Sequence, residues 1–206
     1  MSEYQLYCFG ESGNAYKAAL MLELCGLDWS PIFVDFFNGE TKTTDYRQNV
    51  NEFGEVPVLV HDGKNISQSG VILKYLSEIT GKFGAANKDE ENEILRWILF
   101  DNHKFTSYMG TRRFFLTLLK MEDGEVTKFL EERARGALDI VEKHMEGRDF
   151  IATPGLSIAD ISMCGYLYYG EELQIGLENY PNISAWIERI AATDGWKHPY
   201  DLMPRK

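Results

Sequence analysis

Apolar and polar positions change rhythm partway along this chain. From Gln5 to Phe9 an apolar run ends at Gly10, which predicts a short buried strand. From Tyr16 onward Ala19, Leu20, Glu23 and Leu24 recur at helical spacing until Gly26 stops the pattern. Trp29 to Phe37, rich in Ile, Val and Phe, predicts a second strand, and strands joined through a helix pair in parallel. Residues 39–53 are polar and irregular, with a short helix expected around Thr44 to Asn49. Val56 to His61 then reads as a strand. Asp62-Gly63 is a tight-turn signal that leads into a partner strand at Lys64 to Ile66. Ser69 caps a helix on which Ile72, Leu73, Leu76 and Ile79 share one face.

Residues 81–87 carry glycines without periodicity, and beyond them strand signals nearly vanish. Ile94, Leu95, Ile98, Leu99 and Phe105 open a long helix, while Val126, Phe129, Leu130, Ala134, Leu138 and Val141 trace a second, antiparallel one. Ser157-Ile158-Ala159-Asp160 is a capping box, with Leu156 and Ile161 spaced as a hydrophobic staple. Pro181 starts a last helix that carries Trp186, Ile187 and Ile190 inward. Trp196 and Tyr200 are expected to tuck the tail against the body. The pattern divides the chain into an α/β domain over 1–80, a linker over 81–87 and an all-helical domain over 88–206. A length of 206 residues suits two compact domains, each with its own core.

Composition narrows the function by exclusion. The net charge of -11 disfavours nucleic acid or anionic lipid as a partner, because neutralising phosphates needs clustered Lys and Arg; Arg112-Arg113 is the densest basic spot. The N-terminal residues lack a basic stretch followed by an apolar core, and no apolar run approaches the roughly twenty residues that span a bilayer. A soluble cytoplasmic protein is expected, and the two sequons at Asn65 and Asn182 carry no weight in one. Cys8, Cys25 and Cys164 lie far apart with no CxxC, and His61, His103, His144 and His198 show no ligand spacing, so neither a disulfide framework nor a metal site is expected.

Two local features carry chemistry. A strand that begins Val56-Pro57 is odd, since proline gives no N–H to a sheet; a cis bond there would leave the Val56 N–H and C=O free to pair with an extended peptide. Eleven residues after Pro57, Gln68-Ser69 stands at a helix N-terminus, where backbone N–H groups receive anions. In this order, with Ser12-Gly13-Asn14-Ala15-Tyr16-Lys17 between the first strand and helix, the chain resembles the cytosolic glutathione transferase family over essentially its whole length. The resemblance is closest to bacterial and fungal branches in which Ser, Thr or Asn activates the thiol.

The resemblance implies a thioredoxin-like N-terminal domain followed by a helical bundle, and glutathione as co-substrate. It further implies that Ser12 or Asn14 holds the thiolate, Val56 beside Pro57 pairs with the cysteinyl backbone, Gln68 and Ser69 hold the γ-glutamyl end, and Thr41 and Lys42 hold the glycyl carboxylate. Gln68 where most relatives have Glu, and Glu55 where a basic residue is common, depart from the pattern. The resemblance places an electrophile pocket beside Gly10-Glu11, with Asn102, Phe105, Tyr108, Met109 and Arg112 as candidates, and implies a homodimer; the residues alone also allow core or surface roles for these, and the helical spacing of Phe105 from Asp101 and Met109 favours packing. The chemistry agrees: a glutathione thiol with a pKa of about 8.5 is mostly protonated at neutral pH, and the thiolate is the nucleophile. A hydroxyl donor and a helix N-terminus favour the anion. Conjugation to a small electrophile, reduction of a disulfide or peroxide with two glutathiones, and non-catalytic binding are all compatible with these residues.

Overall fold

The structure, a computed structural model, describes residues 2–205. It forms two compact units, Met1–Gly84 together with Thr193–Lys206, and Ala85–Ala192. The tail, expected to close the helical domain, belongs instead with the sheet. The reason is local: Tyr16 donates its hydroxyl to the Lys197 carbonyl at 2.8 Å, Lys197 pairs with Glu23 at 2.9 Å, and Gly10 N–H donates to the Pro204 carbonyl at 2.7 Å.

The first unit runs β1 (Tyr4–Cys8), α1 (Gly13–Cys25), β2 (Trp29–Phe33), a 3₁₀ turn (Glu40–Lys42), α2 (Thr44–Asn49), β3 (Val58–His61), β4 (Lys64–Ser67) and α3 (Ser69–Thr80). The sheet order is β2-β1-β3-β4. β1 pairs with β2 in parallel, with Cys8 opposite Phe33, and with β3 antiparallel, with Tyr7 opposite Val58. β3 and β4 form the expected hairpin, Val58 facing Ser67, and Asp62 and Gly63 both take positive φ, 50° and 70°. That geometry is what a two-residue turn between twisted strands demands.

α1 is buried on nearly every side, from Ala15 to Leu22 without a break, as a helix covered by both sheet and tail must be. On α3 the buried residues are Ser69, Ile72, Leu73, Leu76 and Ser77, and Ile79 is exposed. The buried arc is centred between these positions, which leaves Ile79 at its edge. Burying Ile72, Leu73 and Leu76 stabilises the unit by about 1.5–3 kcal/mol each. β2 ends four residues earlier than its apolar run, because Phe36 leaves the ladder to stack on Phe9 with centroids 4.9 Å apart and Phe37 meets Phe9 edge-on.

The second unit is helical. α4 (Lys88–Phe100) and α5 (Thr106–Arg113) are joined by a π-helical segment, Asp101–Phe105, and followed by another, Phe114–Leu118; then come α6 (Glu125–His144), α7 (Ile158–Met163) and α8 (Pro181–Ala191). A last short helix, α9 (Pro199–Leu202), lies in the tail. The capping box forms: Ser157 N–H and hydroxyl both donate to Asp160 Oδ2, while Ile151 N–H and Trp186 Nε1 donate to Oδ1. The inner faces differ from expectation in places. Leu95, Leu99, Val126 and Phe129 are exposed, whereas Trp97, Thr127 and Ala137 are buried. On α8, Ile183, Trp186 and Ile190 point inward rather than Ile187.

Candidate glutathione site

Strand directions gather the site. β1 and β2 end, and β3 begins, at one edge of the sheet, since Cys8 faces Phe33 and Tyr7 faces Val58. β4 ends there too, because its last residue, Ser67, faces Val58. Four connections therefore emerge at one edge: Phe9 to Ser12, Val34 to Lys42, Asn51 to Pro57, and Gln68. Two helices, α1 and α3, start from it, so their positive ends and free N–H groups serve the same place.

Ser12 is the N-cap of α1, and its Oγ accepts from Ala15 N–H at 3.1 Å. A hydroxyl has two acceptor positions and one proton, so the capping bond leaves that proton uncommitted. No described residue accepts it. Cap and donor are thus compatible roles for one side chain. Asn14, two residues on, has its Oδ1 buried without a partner, an unusual state for a polar atom.

The Val56–Pro57 peptide is cis. The ladder begins only at Val58, and among the described residues neither the N–H nor the C=O of Val56 is hydrogen-bonded. Gln68 precedes α3 at φ 69°, ψ 115°, a region that side chains other than glycine seldom occupy. Ser69, the first residue of α3, is nearly buried. Unforeseen from the sequence, Gln68 Nε2 donates to Glu55 Oε2 at 2.9 Å. The Glu55 carbonyl is itself fixed by Tyr46 hydroxyl and Asn51 Nδ2, each at 3.0 Å. The sequence signal for this was the Asp62-Gly63 hairpin, which brings residues 13 apart together.

Thr41 and Lys42 part company. Thr41 is 1 % exposed and its carbonyl backs Gly54, where an added Cβ would come within 2.7 Å; its side chain is not a surface group open to a ligand. Lys42 is exposed and makes no ion pair with a described residue. In the helical unit, Phe105 and Met109 are fully buried, and Arg112, 4 % exposed, is bound to Glu131 and to the carbonyls of Leu173 and Gln174. These three pocket candidates are interior groups of the bundle, as the helical spacing of Phe105 favours. Helical spacing gave them a common direction but not their surroundings. Asn102, exposed, donates to the Ile98 carbonyl, and Tyr108 is half-buried.

Cys8 lies inside β1, fully buried, and burial pushes its thiol up to about 12. Among the described residues no cluster of His, Cys, Asp or Glu could hold a metal ion, and no helix is long and apolar enough to cross a membrane.

A thioredoxin-like sheet with two helix N-termini over one edge, joined in sequence to an all-helical unit, defines the two-domain class of glutathione-handling proteins. The chain matches the glutathione S-transferase N-terminal domain over residues 2–78 and the C-terminal domain over 104–194, and it belongs to the glutathione S-transferase family. It resembles the structure of a possible glutathione S-transferase from Rhodopseudomonas palustris, with 32 % identity, a TM-score of 0.86 and coverage of 96 % of this chain and 98 % of that one. Among curated relatives, glutathione S-transferase F14 of Arabidopsis thaliana is 26 % identical, over 100 % of this chain and 88 % of the relative. The disulfide-bond oxidoreductase YfcG of Escherichia coli is 24 % identical, over 88 % and 87 %. The protein is accordingly a glutathione transferase with glutathione as its co-substrate.

Proposed function

We propose that the glutathione thiol lies at the N-terminus of α1, where the Ser12 hydroxyl, the helix N–H groups and the Asn14 amide favour its thiolate. The observation that supports this most is the uncommitted Ser12 proton at the edge where Val56 and Gln68-Ser69 also emerge. Val56 pairs with the cysteinyl backbone through its open N–H and C=O. The Ser69 hydroxyl and the first N–H groups of α3 receive the γ-glutamyl carboxylate, and Lys42 takes the glycyl carboxylate. Thr41 supports that loop from within. The thiol proton leaves to solvent, the thiolate sulfur forms a bond to an electrophilic carbon, and the displaced group departs with its electron pair.

Ser12→Ala tests the assignment. If Ser12 supplies about one pKa unit to the bound thiol, roughly 1.4 kcal/mol, kcat/KM at neutral pH falls about tenfold and recovers as pH rises. A merely capping serine would cost about 1 kcal/mol of stability and leave the pH profile in place. If Asn14→Ala moves the profile and Ser12→Ala does not, the donor is Asn14.

A second reading, reduction of a disulfide by two glutathiones, is favoured by the likeness to YfcG together with the burial of Cys8, which takes a protein thiol out of the cycle. We further infer a cytoplasmic homodimer that clears small electrophiles; half-exposed Phe53, Val71, Leu95 and Leu99 are the apolar groups such an interface would cover. Light scattering at the mass of one chain would remove the dimer from this reading.

A further inference from the structure

The site as read has no anion for one group of its ligand. The γ-glutamyl end of glutathione carries both a carboxylate and an ammonium, and while Ser69 and the α3 N–H groups suit the first, Gln68 is neutral. A neutral amide can accept from an ammonium but leaves it without a counter-charge, and a carboxylate in reach adds the Coulomb attraction that the amide lacks. Among the described residues the carboxylate that Gln68 touches is Glu55, at 2.9 Å.

Glu55 is well set for the task. Its backbone is pinned by Tyr46 and Asn51, so the side chain projects from a fixed base. One carboxylate oxygen is engaged by the Gln68 amide. The other has no partner among the described residues, and no described Lys or Arg neutralises the group. The bond to Gln68 also sets its direction: the charge is held at the end of the site where α3 starts, away from a role beside the glycyl carboxylate, where two like charges would repel.

We propose that Glu55, held by Gln68, accepts the γ-glutamyl ammonium and makes the site selective for a thiol peptide that bears a free α-amino group. The two side chains together do what one carboxylate at position 68 would do, with Gln68 orienting and Glu55 supplying the charge. This rests on the glutathione site proposed above.

Titration calorimetry on the full chain separates the possibilities, with two probes: reduced glutathione, and glutaryl-cysteinyl-glycine, which lacks only the amino group. Wild type is expected to prefer glutathione by about tenfold, the order of one solvent-accessible charge-assisted contact. In Glu55→Gln that preference disappears, and both probes bind as the analogue binds wild type. Adding Gln68→Glu to Glu55→Gln restores the preference, which a fold defect could not. If Glu55→Gln keeps the full preference, or wild type binds both probes alike, Glu55 is not the acceptor and the glutathione site stands. If wild type binds neither probe, the site itself is wrong and Glu55 falls with it.

Discussion

Single residues in this site serve structure and chemistry with different atoms. Ser12 caps α1 with a lone pair and keeps its proton, so capping a helix and donating to a thiolate are not rival roles for it. Cys8 shows the opposite case: a reactive atom made inert by where it sits. With its thiol pushed up to about 12 by burial, it stays protonated at neutral pH and is no nucleophile. Cys8→Ala should therefore reduce a glutathione-linked model disulfide at the wild-type rate, at a stability cost of about 1 kcal/mol for the lost packing. A hundredfold loss in that assay, with the fold intact by circular dichroism, would return the cysteine to the mechanism.

Whole elements were legible in the sequence where local chemistry determines them. Asp62-Gly63 specifies its own turn through two positive φ angles, and Ser157 with Asp160 closes a box inside one turn of helix. Val56-Pro57 and Gln68-Ser69 were readable for the same reason, since each oddity lies within two residues. Errors came where burial depends on partners distant in sequence. Phe36 and Phe37 continue an apolar run but pack on Phe9 instead of extending β2. Phe105, Met109 and Arg112 share a helical face on which spacing predicts packing for Phe105, and the contacts of Arg112 with Glu131, Leu173 and Gln174 carry the interior as far as a residue that charge alone would place at the surface. The Glu55–Gln68 contact is intermediate: a hairpin foreseen correctly implied that the two positions approach, yet side chains of unlike type gave no reason to pair them. Periodicity thus tells which residues share a face, not what that face meets.

At the scale of the whole molecule, the last residues complete the first unit rather than the second. The chain leaves the sheet unit after Gly84 and returns to it at Thr193. Pro199, Leu202 and Met203 are buried there, and the Pro204 carbonyl holds Gly10 N–H. Arg205 reaches Glu11 at 2.9 Å and stacks over Tyr200, and a Cβ at Gly10 would lie 2.5 Å from the Arg205 side chain. The tail thus clasps the turn that immediately precedes Ser12. Ending the chain after His198 should remove the burial of Leu202 and Met203, worth about 1.5–3 kcal/mol each as an upper estimate. It also removes the contacts of Gly10 with Pro204 and of Glu11 with Arg205. Denaturant unfolding of the first unit is then expected to shift by about 3–6 kcal/mol, and glutathione affinity to fall, because the loop that presents Ser12 loses its hold. The two effects separate with Arg205→Ala, which keeps Leu202 and Met203 in place: its stability should stay within about 1 kcal/mol of wild type, as for other exposed ion pairs. A truncated chain that unfolds at the wild-type midpoint would show that the tail merely lies along the sheet unit without holding it.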